Sequence, residues 1–350
     1  MIVARRMATA GAPLLIFAGA VGVVALIVTM TGYNAFDAAH AAAQGAFGST
    51  FAIVSATLKR ATPILMLGLA VALAFRSGVL NIGAEGQFLA GAASACALGL
   101  AAGSGAGRGI VVAELCVGVV VGGCWAGIAA WLKRRFDIME VVSTLLLNFV
   151  ALNLVAYLVR GPLQEPTGAY PQSAVLDPVA RLPLLFNGQR LHAGFVFALG
   201  AALILWWCFR STAAGFRIRI TGAGRHTAAT AGLVDVNRVQ TWTLVGSGAL
   251  AGLAGACEVT GVTYALYEGL SPGYGYTAIA VALLGGLNPL GIIVSSILFG
   301  ALGAGADAMQ RDAGVPAEFA SIAAALVILG VLAMQGVPRL RAALTERGAR

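Results

Sequence analysis

The run NIGAEGQFLAGAASACALGLA, residues 81–101, begins with polar and small residues and continues after Glu85 without another charge. A run of about 20 mainly apolar residues is long enough to cross the hydrocarbon core of a bilayer as an α-helix. Glu85 would lie in the first turn of that helix, close to Asn81 and Gln87. The stretch therefore predicts a membrane span over residues 80–101 that begins with polar side chains.

The whole chain shares this composition. Of its 350 residues, 59% are hydrophobic and 10% are charged, whereas about 25% of the residues in a soluble domain are charged. The mean hydropathy is +0.89, and the 47 glycines suit closely packed membrane helices. These values exclude a soluble fold and predict an all-α integral membrane protein, a single transmembrane domain over residues 1–350 with its core at about 50–335.

Apolar runs separated by polar breaks predict about ten transmembrane helices. The N-terminal run is too long for a cleaved signal peptide and lacks a clear A-x-A site. Between the eighth and ninth runs, glycines and Pro289 interrupt the chain, which is tolerated only inside a protein bundle. The predicted spans are 12–32, 61–75, 80–101, 109–132, 139–159, 193–210, 239–265, 273–286, 290–307 and 318–335.

The distribution of positive charge predicts the orientation. Most of the 22 Lys and Arg residues fall in segments on one side of these spans, so the N- and C-termini are expected in the cytoplasm. The net charge of +8 is explained in this way, without nucleic acid as a partner. A long outer loop is expected at 160–192 and a long inner loop at 211–238, and residues 49–60 predict an amphipathic helix on the outer interface.

Several functional classes are excluded by what the sequence lacks. Lys59 and Lys133 are the only lysines, and neither follows a glycine as a Walker A motif requires. The three histidines are far apart, and the five cysteines include no C-x-x-C pair. We therefore predict a chain that is not an enzyme and has no catalytic residue, no metal site and no cofactor of its own.

Polar residues at the start of the third span form the first candidate site. A carboxylate in a membrane helix is costly unless it is compensated, and the helix dipole favours Glu85 in the first turn. Asn81 is able to cap exposed backbone amides there. Asn81, Glu85 and Gln87 are thus interpreted either as a capped helix start or as a polar element at the translocation path or gate, and both roles can hold.

Two later spans also carry polar residues. Glu140, Thr144 and Asn148 recur at i, i+4 and i+8 and share one helix face, which predicts either helix–helix hydrogen bonds or the lining of a substrate path. Glu258 lies deep in the seventh apolar run. It is interpreted either as a residue of the substrate path or as a carboxylate that reaches water at the outer end of the span. On the same span, Gly248 and the glycines that follow it predict close helix packing.

The inner loop, about 211–238, contains an Ala-rich segment that is predicted to dock a cytoplasmic partner. Thr227 to Ala231 are expected to form one or two helical turns, with a sharp entry at Gly222 and Gly224 and a left-handed stop at Gly232. A small Ala-rich helix has little to bury against in its own chain, so docking is favoured over an idle loop. The predicted docking residues are Gly222, Gly224, Arg225, Thr227, Ala228, Ala229, Ala231 and Gly232.

Together, the octet 81–88, the stretch 140–148 and the loop 215–232 resemble the permease subunits of bacterial ABC importers for nucleosides. These belong to the wider ribose and branched-chain amino acid permease superfamily, and the chain is similar to the longer of the two permeases that such importers carry. The resemblance covers about residues 50–335. One departure is Gly224-Arg225, where family members commonly have Asn-Pro in the docking loop.

The resemblance implies a type II importer fold of about ten helices in the bacterial plasma membrane. It also implies a cytoplasmic ATP-binding subunit that carries the ATP, a second and non-identical permease, and an external substrate-binding lipoprotein. Membrane lipid is a further expected partner. Arg217 and Arg219 are expected near the membrane surface, held either by anionic lipid or by helix ends.

Two other classes remain open from the residues alone. An ion-coupled secondary transporter would use carboxylates such as Glu85, Glu140 or Glu258 as ion sites, but it leaves the Ala-rich inner loop unexplained. A membrane-embedded enzyme has no supporting constellation of residues. Nucleosides and simple sugars are not distinguished as substrates.

Overall fold

The computed structural model describes residue 19 and residues 22–330, except 104, 106, 108, 225–233, 317, 320, 323, 324, 327 and 328. These residues are largely helical, with isolated β-bridges in the outer segment and to Tyr267. The helices are α1 (22–30), α2 (Ala35–Phe47), α3 (Lys59–Arg76), α4 (Ala84–Ala102), α5 (Ile110–Phe136), α6 (Glu140–Arg160), α7 (Gly194–Ser211), α8 (Ala213–Ala223), α9 (Val236–Glu258), α10 (Tyr274–Leu284) and α11 (Pro289–Ala313).

Six helices in the described part of the chain are long and apolar enough to cross a membrane, and each matches a predicted span. They are Ala52–Arg76, Ile110–Phe136, Glu140–Arg160, Gly194–Ser211, Val236–Thr263 and Pro289–Ala313. Helix α4, the predicted third span, is not among these six helices. It is 19 residues long, but Glu85 and Gln87 lower its mean hydropathy. Helix α10 has 11 residues and is too short to span alone. The count of ten spans and the orientation of the termini stay predictions.

The prediction of a separate amphipathic helix at 49–60 is wrong. Residues Ala52–Leu58 form a π-helical segment that runs directly into α3. Within it, Ser55 and Thr57 are buried, and the Thr57 hydroxyl donates to the Ala46 carbonyl oxygen at 2.9 Å. Polar groups buried in this way belong inside a bundle and not at a lipid interface.

The chain divides into two compact units, Ala61–Ile297 and the combination of Met1–Arg60 with Leu298–Arg350. In the second, Gly45 on α2 packs against Ala308 on α11, and Gly305 approaches Ala42. Arg60 donates to the Gly303 carbonyl oxygen at 2.6 Å and forms an ion pair with Asp307.

The first unit is built on the packing of α9 against α4 and α5. A Cβ atom at Gly252 would collide with the Gly118 carbonyl oxygen, and one at Gly255 with the Phe88 carbonyl oxygen. The backbones are therefore in direct contact, which only glycine allows. This confirms the predicted packing role of the glycine face of the seventh span.

The outer segment between α6 and α7 is attached to the end of α9. The amide of Ser173 donates to Leu266 O at 2.7 Å, and that of Leu182 donates to Thr260 O at 2.9 Å. Helix α9 ends here in a π-helical turn, Val259–Thr263. His192 is fully buried against this turn, where its imidazole occupies the space beside Gly261.

The inner segment begins with a helix that the sequence did not predict. Thr212 caps α8 by accepting a hydrogen bond from the Gly215 amide at 3.1 Å. Gly222 lies in the last turn of α8, where a side chain would collide with the Arg76 carbonyl oxygen. The expected role of Gly222 and Gly224 as the entry to a later helix stays a prediction. Gly224 is the residue at which α8 ends. The predicted docking helix and its residues Arg225, Thr227, Ala228, Ala229, Ala231 and Gly232 lie outside the described residues.

Candidate functional site

The polar residues at the start of α4 belong to one buried cluster. The side-chain amides of Asn81 and Gln87 bond to each other twice, at 2.9 and 3.0 Å. Asn81 also donates to the Ser247 hydroxyl on α9 at 2.8 Å, and it accepts from the backbone amide of Gly83 at 2.9 Å. Asn81 therefore satisfies the backbone amide of Gly83, the residue just before α4, and also connects this segment to α9.

Glu85 is 3% exposed and lies between two helix N-termini. It is in the first turn of α4, and its Oε2 accepts from the amide of Gly275 in the first turn of α10 at 2.7 Å. Ser271, just before α10, accepts from the backbone amides of Gly273 and Tyr274 at 3.2 and 3.0 Å and so caps that helix. The positive ends of two helix dipoles thus meet one carboxylate, which compensates its burial.

The predicted polar stripe on α6 faces the start of α4. Asn148 accepts from the Gly86 amide at 2.8 Å and donates to the Ile82 carbonyl oxygen at 3.0 Å. Thr144 accepts from the Ile82 amide at 3.3 Å. Glu140, at the beginning of the helix, pairs with Lys133 at 2.6 Å. Helix–helix hydrogen bonding, one of the two predicted roles, is thereby confirmed for Asn148 and Thr144.

This cluster lies deep along the spanning helices. At a rise of 1.5 Å per residue, Asn148 is about 12 Å from Glu140 along α6, and Ser247 about 17 Å from Val236 along α9. The hydrocarbon core of a bilayer is about 30 Å thick. Asn81, Glu85, Asn148 and Ser247 therefore form a polar layer inside the helix bundle, well away from the first residues of α6 and α9, where buried polar groups need protein partners.

Tyr276 brings this layer to an exposed surface. Its hydroxyl lies 3.3 Å from Asn148 Nδ2, while 42% of the residue remains exposed. Leu80 and Leu145 are exposed as well. A phenol with one end in a polar cluster and its ring open can contact a passing solute by hydrogen bonding or by stacking.

Glu258 is not part of this cluster. It is the last residue of α9, about 17 Å along the helix from Ser247. Glu258 is only 5% exposed. The predicted alternative, in which this carboxylate simply reaches water at the outer end, is therefore not supported. Asn81, Glu85, Gln87, Thr144 and Asn148 are gathered around the start of α4, whereas Glu140 lies at the beginning of α6 beside Lys133.

Sequence reasoning missed several members of the site. Tyr276, Gly275 and Ser271 belong to a segment that was interpreted only as an interrupted helix. Ser247 was placed among small packing residues, and its hydroxyl at a helix-facing position was the available signal. Glu114 on α5, beside Gly99 near the other end of α4, lies outside this site and was also missed. It is fully buried, and neither carboxylate oxygen has a hydrogen-bond partner among the described residues.

The fold and the site define a multi-pass membrane permease with a polar layer inside its helix bundle. Residues 53–332 match the permease component of the branched-chain amino acid transport system. The chain belongs to this family. It is a permease subunit of an ABC transporter and not an enzyme, and the ATPase of such a transporter lies on a separate subunit.

Relatives support this assignment over most of the chain. It is 37% identical to the guanosine ABC transporter permease protein NupP of Bacillus subtilis, over 93% of each chain. It is 35% identical to the glucose ABC transporter permease protein TsgB13 of Haloferax volcanii, over 81% of this chain and 77% of that one. The nucleoside ABC transporter permease protein NupB of Lactococcus lactis is 29% identical over 87% and 85%, respectively. No solved structure matches the chain.

The contact between Glu85 and α10 leads to a prediction for transport. Glu85→Gln keeps an oxygen that can accept from the Gly275 amide, but it removes the charge that the two helix dipoles favour, so we expect uptake to fall several-fold. Glu85→Leu removes the acceptor and leaves a buried amide unsatisfied at a cost of about 1–3 kcal/mol, so uptake should fall more than about tenfold. Uptake by the assembled transporter, normalised to permease in the membrane, measures both. Wild-type uptake in both variants would leave Glu85 without a role.

Proposed function

We propose that the chain is one of two non-identical permeases of an ATP-driven importer that takes up nucleosides. The observation that carries the proposal is the similarity to the guanosine permease NupP, at 37% identity over 93% of both chains. The nucleoside permease NupB supports the same substrate class. An external substrate-binding lipoprotein delivers the nucleoside, and a cytoplasmic ATP-binding subunit drives its passage.

The polar layer supports an uncharged solute. Helix N-termini inside membrane bundles commonly bind anionic groups of a substrate. Here the N-termini of α4 and α10 are occupied by the carboxylate of Glu85, so an anion would be repelled from the position that usually attracts it. Nucleosides and simple sugars are neutral and rich in hydroxyl groups, which agrees with amide and hydroxyl partners in this layer.

We assign the path or gate to this layer. Asn81, Glu85, Gln87, Thr144 and Asn148 hold the start of α4 in place, and Tyr276 offers a ring at the exposed side. In this proposal, Glu140 and Glu258 belong to the inner and outer ends of the same path. Movement of α10 relative to α4 would open it, because few polar contacts connect those two helices.

We assign ATPase docking to the inner segment 211–238. Helix α8 follows α7 after a single residue, Thr212, and leads directly into the Ala-rich stretch. The docking residues proposed are Gly222, Gly224, Arg225, Thr227, Ala228, Ala229, Ala231 and Gly232.

Glucose is the second candidate substrate, because the glucose permease TsgB13 is nearly as similar, at 35% identity. The two substrates are distinguished by uptake into proteoliposomes that contain the full transporter and an ATP supply. We expect labelled guanosine to enter only with ATP and the binding protein, and an excess of unlabelled adenosine, but not of glucose or guanosine monophosphate, to compete. Competition by glucose alone would favour the sugar. Uptake by the isolated chain under a proton or sodium gradient would contradict the proposal, as would ATP hydrolysis by that chain.

A further inference from the structure

A groove lies between α8 and the first two turns of α9, away from the polar layer. It consists of two adjoining cavities of about 410 and 270 Å³. Both are lined by the same four side chains, Arg217 on α8 and Arg238, Val239 and Trp242 on α9.

One end of the groove carries excess positive charge. Arg217 and Arg238 are exposed, and neither has an ion-pair partner among the described residues. Asp235 also lines this end, but its Oδ1 already accepts from the Arg238 backbone amide at 3.0 Å. Two guanidinium groups in this position match the oxygens of a phosphate.

The second cavity adds mainly apolar side chains to the four that both cavities share. Leu73, Ala214 and Ile218 line it together with Thr243, and Trp242 is 65% exposed. Trp242 lies about 9 Å along α9 from Val236, and tryptophan near the end of a spanning helix is typical of the boundary between lipid headgroups and acyl chains. The groove thus combines a cationic end, an interfacial tryptophan and an apolar wall in the order in which a phospholipid presents its parts.

We propose that this groove binds an anionic glycerophospholipid of the inner leaflet. Its phosphate lies between Arg217 and Arg238, and an acyl chain lies along Trp242 and Leu73. Because α8 is the first helix of the inner segment, a lipid bound here would hold α8 at a fixed height relative to the membrane. Charge complementarity favours lipid over an apolar protein partner, and the adjacent spans place the groove at the bilayer surface.

Quenching of Trp242 fluorescence by brominated lipids tests the proposal. The full-length permease is placed in nanodiscs with increasing fractions of dibrominated phosphatidylglycerol or dibrominated phosphatidylcholine, and a Trp242→Phe variant gives the signal of the other tryptophans. We expect half-maximal quenching of Trp242 at a roughly 25-fold lower fraction of phosphatidylglycerol than of phosphatidylcholine, since each of the two arginines contributes about fivefold near the surface. Equal quenching by the two lipids would overturn the proposal.

Two variants make the test specific. The double variant Arg217→Gln/Arg238→Gln should lose the preference for phosphatidylglycerol. Arg219→Gln should keep it, because Arg219 is an exposed arginine of the same helix that does not line the groove. Equal loss in both would indicate general surface charge and contradict a defined site.

Two further results would also overturn the proposal. Displacement of the lipid by soluble glycerol phosphate would indicate a free phosphate site. Loss of lipid quenching on addition of the ATPase subunit would indicate a protein-binding surface.

Discussion

Replacing Gly252 with valine is expected to lower the free energy of unfolding by about 3 kcal/mol or more and to abolish transport. Gly252 lies at the centre of the packing of α9 against α4 and α5. Its missing side chain leaves room for the carbonyl oxygen of Gly118 and for Gly122 Cα, which would be 2.9 Å from a Cβ atom. Those neighbours are backbone atoms and cannot rotate away, so the helices must separate.

Thermal unfolding of the purified permease in detergent measures this effect. Gly123→Ala is the matched control, since Gly123 is on α5 and faces the same helix, but a Cβ atom there would lie 3.5 Å from the nearest atom. That distance is an ordinary van der Waals contact, and we expect a change within about 0.5 kcal/mol. A similar loss of stability in both variants would contradict the close backbone packing described for Gly252.

Asn148→Leu is expected to have the second largest effect. The substitution removes hydrogen bonds to Gly86, Ile82 and Tyr276 and leaves backbone groups at the start of α4 unsatisfied. We expect a loss of about 2–4 kcal/mol in stability and a reduction of uptake by more than tenfold. Leucine has a similar volume, so the loss reflects hydrogen bonding more than packing.

The same helix provides the control for this prediction. Asn153 is also on α6, but its amide donates to the Phe149 carbonyl oxygen of its own helix, at 2.8 Å, on the exposed side. Asn153→Leu should leave unfolding and uptake close to wild type. If Asn148→Leu kept wild-type uptake while remaining folded, the polar layer would have no part in transport.

Hydropathy predicts the spans well, because an apolar run of sufficient length has few other stable positions. Residues 109–132 and 139–159 were predicted for α5 and α6, which the structure places at Ile110–Phe136 and Glu140–Arg160. The surface helix expected at 49–60 is wrong for a related reason. Its residues matched an interfacial pattern, but its polar side chains are buried and bond to other parts of the chain, such as the Ala46 carbonyl oxygen. The local sequence contains no information about such distant partners.

Two features of the site illustrate what local sequence does not contain. Glu85 and Gly275 are 190 residues apart in the chain, and no periodicity connects them. Helix α8 was missed because its sequence AAGFRIRITGA alternates Arg and Ile and contains two glycines, a pattern with weak helix propensity. The cap at Thr212 and the burial of Ile218 stabilise it nonetheless.

The glycine and alanine contacts among α4, α5 and α9 also have an entropic consequence. These side chains have no rotamers to lose on packing, so the three helices associate without that cost. They also have no alternative rotamers with which to repack. Such an interface has one arrangement and does not deform gradually, and α4, α5 and α9 should therefore move as a rigid body during transport. The displacement that carries a solute must then occur at boundaries with few polar contacts, such as the one between α4 and α10, where the Gly275 amide donates to Glu85.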